Sequence, residues 1–218
     1  AKKIIESGQL GRLVASHGMC WLFKPDDYFN SWRKSAGGGP VLINLAHDID
    51  LMRYLIGEIE SVHSFESNAH RSGQVEDSAV VNIRYENGAI GTLSISDTIV
   101  APWSWEHTSK ENPVYPYQED SCYWIGGTHG SLELPQLTLW KSKSERSWWK
   151  PMYFNKCPLD KSINQPLLAQ LENFISVVLG KEEPICSGKD GLKTLSVIEA
   201  IKLSGKTGKI VKLKELQN

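Results

Sequence analysis

Residues 37–58 read GGGPVLINLAHDIDLMRYLIGE, and the reading of this stretch decides the fold. Three glycines open it, and Pro40 stands at the first helical position, where its missing N–H leaves no acceptor unsatisfied. Leu42, Leu45, Ile49, Met52 and Ile56 recur at spacings of three and four, the period of a helix that buries one stripe. Gly57 is placed to end that helix in a left-handed cap. Asn44, His47 and Asp50 follow at i, i+3 and i+6 on a neighbouring face, a polar patch on a helix whose other side is core.

Working outward, residues 1–7 read as the end of a helix stopped near Gly8, and 13–23 alternate as a strand would. Residues 24–39, with Pro25, paired Asp and glycines, read as a loop, and 59–69 return to a strand pattern. Residues 77–85 and 89–96 predict a hairpin with Asn87-Gly88 as a two-residue turn. Ala79, Val81, Ile83 and Tyr85 share one face, as do Leu93 and Ile95; Thr92, Ser94 and Ser96 project from the other, which is wet or lies against something polar. Residues 97–118 carry Pro102, Pro113 and Pro116, which exclude regular structure, and a loop of that length points to function.

Short strands are expected at 119–125, 131–134, 137–141 and 147–153. Residues 164–179 predict an amphipathic helix, with Leu168, Leu171, Ile175 and Val178 on one stripe and Gly180 closing it. Ser187 with Asp190 resembles a capping box for a helix over 190–203, and 209–213 predict a closing strand. Strands followed by helices give an α+β fold: a large, mostly antiparallel open sheet with helices packed on one face.

Composition narrows the function classes. A chain of 218 residues can bury a substantial core. Its 24 basic and 25 acidic residues nearly cancel, so no net field favours nucleic acid or an anionic membrane. The apolar runs are far short of a membrane span. Cys20, Cys122, Cys157 and Cys186 lack Cys-x-x-Cys spacing, which leaves no metal site to expect and predicts reduced thiols and a cytoplasmic location. Gly205-Lys206-Thr207 fails as a phosphate loop, because position 200 is Ala and the run follows a helix, so a helix cap is the better reading.

His47 is the residue best suited to acid–base work, since imidazole titrates near working pH, and Asp50 one turn on could orient its ring. The alternative is a histidine satisfied at an interface, with Asp50 paired to Arg53. Trp32-Arg33-Lys34 offers cations and an apolar wall to a ligand, or else a solvated loop anchored by Trp32. Trp103 and Trp105 in the long loop serve either a ligand or a subunit contact.

The glycine-helix stretch, with its His-Asp-Ile-Asp and Arg-Tyr-Leu-Ile-Gly-Glu ending, resembles the glucose–fructose oxidoreductase/inositol dehydrogenase (Gfo/Idh/MocA) family. Residues 5–12 (IESGQLGR) resemble that family's join between two domains, and 188–192, 199–200 and 204–208 its last helix and strand. The resemblance implies a dihydrodipicolinate-reductase-like C-terminal domain: residues 1–8 as the tail of an N-terminal Rossmann domain and 9–218 as a substrate-binding and oligomerisation domain. It implies an NAD(P)-dependent dehydrogenase acting on a sugar, cyclitol or related polyol, with NAD or NADP bound mainly by the other domain. His47 falls on the family's catalytic histidine. Trp32, Arg33, Asn44, Asp50, Trp103 and Trp105 would meet substrate, and Gly38 and Gly39 would let the backbone pass close to the cofactor. Many members carry Asp four residues before the histidine, where this chain has Ile43, and the family's Glu-Lys-Pro motif has no counterpart. These 218 residues alone are therefore expected to be inactive. A homo-oligomer formed through the open sheet is expected, and a non-catalytic sugar-sensing or scaffold relative is the alternative.

Overall fold

The computed structural model describes residues 1–29, 31–158 and 165–216. Nine strands form one sheet: β1 (Leu13–Trp21), β2 (Ile59–Ser67), β3 (Ser78–Tyr85), β4 (Ile90–Ser96), β5 (Tyr123–Gly127), β6 (Gly130–Leu134), β7 (Thr138–Ser142), β8 (Met152–Lys156) and β9 (Val211–Lys212). Their order is β8-β7-β6-β5-β1-β4-β3-β2-β9, antiparallel throughout except where β1 runs parallel to β4. The α+β open-sheet architecture is thus as the residue patterns imply. The helices are α1 (Lys2–Glu6), α2 (Pro40–Ile43), α3 (Leu45–Ile56), α4 (Trp105–Thr108), α5 (Pro166–Val178) and α6 (Gly188–Thr207).

One face of the sheet is the core. Leu45, Ile49 and Met52 of α3 and Ile198 and Ile201 of α6 are buried against Val62, Val81, Ile83, Leu93, Ile95 and Ile125. Polar contacts fix how the helices sit. Ser204 Oγ accepts from Ser64 N–H at 3.0 Å, tying α6 to β2. Arg53, itself buried, donates to both carboxylate oxygens of Glu58 (2.9 and 3.1 Å), to Thr194 Oγ1 and to the Asp190 carbonyl, tying α3 to α6. At the other end Lys2 Nζ donates to the Tyr54 carbonyl and docks α1 on α3.

Several boundaries differ from the sequence reading, each for a local reason. The central helix is interrupted at Asn44, whose φ of −111° separates α2 from α3. Gly57 does not take the left-handed cap; it has φ 132° and ψ 178°, a region open to glycine alone. The hairpin turn holds three residues: Tyr85 N–H donates to the Ala89 carbonyl, Gly88 N–H to the Tyr85 carbonyl, and only Gly88 is left-handed (φ 86°). Pro151 has no N–H to give, so the expected strand at 147–153 begins one residue after it, as β8. The prolines of 97–118 do not exclude all regular structure: Ser104 caps the single turn α4 by accepting from His107 N–H.

Gly205-Lys206-Thr207 is the last turn of α6, and the left-handed cap is Gly208. The capping box of Ser187 and Asp190 is formed, with the helix starting at Gly188. Residue 164, where the α5 pattern starts, lies outside the described residues. The α5 stripe itself is uncovered: Leu168, Leu171, Ile175 and Val178 are 48–68% exposed. No helix among the described residues is long and apolar enough to cross a membrane.

Candidate active site

The site is built where the end of β1 meets the start of α3. Past Trp21 the chain stays beside β4, with Leu22 N–H donating to the Ser96 carbonyl and Lys24 N–H to the Asp97 carbonyl. Lys24 is buried, and its ammonium donates to Asn44 Oδ1 while lying 4.9 Å from the centre of the Tyr28 ring. Burial pulls that ammonium below the usual lysine range, against the opposing negative charge of Asp97. Asn44 is the half-buried N-cap of α3, and its carbonyl accepts from His47 N–H at 2.9 Å. The His47 side chain is exposed beside it.

Asp48, the next residue, points the other way and is buried. Tyr123 Oη donates to its carboxylate, and loss of solvent pushes its pKa up to about 7. Trp105 stacks on Tyr123, centroids 5.6 Å apart, and its Nε1 donates to Glu111. Trp103 meets Trp21 edge-on at 5.5 Å, and its Nε1 donates to Asp120. The long loop is thereby anchored to the sheet through both tryptophans. In the same loop one carboxylate oxygen, Glu106 Oε2, is buried with no hydrogen-bond partner among the described residues.

Arg71 holds the lysine's loop in place. Its guanidinium pairs with Asp97 at 2.9 Å, donates to the Lys24 and Asp97 carbonyls at 2.7 and 2.8 Å, and lies 3.8 Å over Phe29. Neither Lys24 nor Arg71 was legible as a site residue. Lys24 begins a loop, and Arg71 sits in a polar loop without periodicity. The one available signal was a lone Lys ahead of Pro25 at a strand end.

Of the residues singled out from the sequence, the structure brings Asn44 and His47 together. Arg33 joins them through Tyr28: it donates to the Tyr28 carbonyl at 3.1 Å and lies 4.3 Å over that ring, with Trp32 exposed alongside. Trp105 reaches the site through Tyr123 and Asp48, and Trp103 stands beyond it. Asp50 is not placed to orient His47. Its Oδ1 accepts from Thr194 Oγ1 at 3.0 Å and pairs with Arg53 at 3.6 Å, because position i+3 turns it toward α6.

Gly38 and Gly39 are both buried, and the chain's own packing requires them. A Cβ on Gly38 would lie 2.5 Å from the Arg33 carbonyl oxygen. A Cβ on Gly39 (φ 89°) would lie 2.3 Å from Glu76 Oε1, which accepts from Val41 N–H at the start of α2. No dinucleotide cradle is needed to explain these glycines, and the sequence has no Gly-x-Gly-x-x-Gly. A groove also lies elsewhere, on the outer sheet face between Ala15, His63, Asn82, Arg84, Ile90 and Thr92.

Comparison with known proteins shows the family. The chain is 24% identical over 178 residues to D-apiose dehydrogenase of Paraburkholderia graminis, covering 78% of this chain and 44% of that one. It is 27% identical over 190 residues to myo-inositol 2-dehydrogenase of Thermotoga maritima (82% and 50%). Among solved structures, the WlbA dehydrogenase of Bordetella pertussis in complex with NADH and UDP-GlcNAcA superposes with a TM-score of 0.72 at 23% identity, covering 97% of this chain and 58% of that one. The chain spans about half the length of the curated relatives it matches. A family model described as the C-terminal alpha/beta domain of an oxidoreductase family matches residues 2–213, and the chain therefore belongs to the Gfo/Idh/MocA oxidoreductases as their C-terminal domain.

Proposed function

We infer that this chain is the substrate-binding domain of an NAD(P)-dependent dehydrogenase acting on a sugar, cyclitol or related polyol, with His47 as its acid–base residue. The observation that carries the reading is an exposed imidazole on the first turn of α3 beside the fixed amide of Asn44. The dehydrogenase relatives support the substrate class. In the whole protein, a bound nicotinamide would accept the hydride from the carbinol carbon. This chain handles the proton: a ring nitrogen of His47 takes it from the hydroxyl as the C–H bond breaks, leaving a carbonyl. Trp32, Arg33 and Asn44 would shape the substrate position, with Trp103 and Trp105 bracing its far wall.

Residues 1–8 would lead in from a cofactor-binding domain, and residues 9–218 would also carry the subunit contact, through the outer sheet face. The free cysteines support a reducing, cytoplasmic location. Ile43, at the place of a usual Asp, favours a second reading, a sugar-binding relative without turnover.

Steady-state assay of the full-length protein with myo-inositol, D-glucose and D-xylose, with NAD⁺ and with NADP⁺, tests both. Turnover that falls by about 10²–10⁴ in kcat/KM in His47→Ala supports the enzyme. Saturable binding of these polyols without turnover supports the second reading. The 218 residues alone should show no turnover.

A further inference from the structure

The amide of Asn44 has a defined orientation, and its cause is Lys24. An ammonium carries donors only, so the atom that faces it is Oδ1. That leaves both N–H groups of Nδ2 to other partners, and they make no hydrogen bond among the described residues. Asn44 is half-buried, and His47, one turn on, is exposed.

Lys24 has little freedom to release it. Its backbone N–H and carbonyl are held by Asp97 and Arg71, and its ammonium lies against Tyr28. The nearby carboxylate of Asp97 is paired with Arg71, and the lysine's hydrogen bond goes to the neutral amide.

We propose that Lys24 is a positioning residue of the site, fixing Asn44 so that its amide N–H groups hold a substrate oxygen adjacent to the hydroxyl that His47 deprotonates. The proposal rests on the dehydrogenase reading and narrows it. The ligand must carry an acceptor oxygen on the carbon next to the reacting carbinol, so vicinal diols are taken and isolated alcohols are not. A methylene in place of that oxygen leaves the Asn44 donors unpaired on binding.

The test is a double-mutant cycle in the full-length protein, on whichever of myo-inositol, D-glucose and D-xylose it oxidises fastest. Lys24→Met should lower kcat/KM by about 10–10²-fold, as expected for misplacement of a reacting group. In an Asn44→Ala background the same change should cost less than about 3-fold, because the two act as a unit. Asn44→Asp keeps an acceptor for Lys24 and guards against misfolding, yet removes both donors; it should lose activity with an unchanged melting temperature. Cofactor affinity should stay unchanged in all variants. Additive losses from Lys24→Met and Asn44→Ala, or full activity in Asn44→Asp, overturn the role of Lys24 while leaving the enzyme reading intact. A wild-type protein that oxidises none of the three overturns both.

Discussion

At the scale of the residue, the notable feature is how many carboxyl groups this domain draws wholly or partly out of solvent. Burial raises Asp48 and Glu66 to about 7, and it raises Glu76 and Asp97 as well. Glu66 keeps one buried oxygen with no hydrogen-bond partner among the described residues and lies against Gly205 of α6. A carboxyl whose folded pKa exceeds its unfolded value binds more protons when folded. Its stabilising contribution is full below the ordinary carboxyl range and is lost as pH rises through the folded pKa. The melting temperature should therefore fall between about pH 4 and pH 7. The lowered pKa of Glu58 acts in the opposite sense but below that window. Asp48→Asn retains an acceptor for Tyr123, and Glu66→Gln removes a group that charges at a cost; each should flatten the fall. Thermal melts across that range check this, and an unchanged slope in both variants would refute it.

At the scale of the element, the junction between the glycines and α2 carries the strongest sequence constraint. Pro40 starts the helix, Glu76 just ahead of β3 accepts from Val41 N–H, and Gly39 must pass that carboxylate with φ 89°. Gly39→Ala combines a disfavoured backbone conformation with a close contact. It should cost about 1–3 kcal/mol, read as a shift in the denaturant midpoint. If Gly39→Ala is as stable as the parent, the glycine is not serving the chain's own packing.

The interruption at Asn44 matters for the same reason. By ending α2 and capping α3, Asn44 leaves the helical pattern and brings its amide to Lys24. A continuous helix would have carried that side chain at a different angle.

At the scale of the whole molecule, the sheet has two unlike faces. The inner one is closed by α3 and α6. The outer one exposes Phe65, Val80 and Ile90, with Phe65 and Val80 directly paired across β2 and β3. This is the face proposed above for the subunit contact. Val80→Lys should lower the mass of the full-length protein in light scattering to that of a smaller assembly, without loss of helix content. An unaltered mass would exclude this face as the subunit contact. This face was legible in the chain: Thr92 and Ser94, expected to meet water or something polar, hydrogen-bond with His17 and Trp21.

What the sequence determined by itself was what depends on local spacing. The buried stripe of α3, the alternation of β3 and β4, the capping box of α6 and the family motif around His47 all lie within a few residues of one another, where backbone geometry alone relates them. What only the tertiary structure decided were contacts across large separations. Asp50 faces α6 because Arg53 and Thr194 meet there. Lys24 belongs to the site because Arg71, 47 residues away, clamps its loop beside Asn44. Tyr123 fixes the buried Asp48 from 75 residues away. Such pairs leave no period in the chain, since a charged or polar group finds its partner only after the sheet has brought the two strands together.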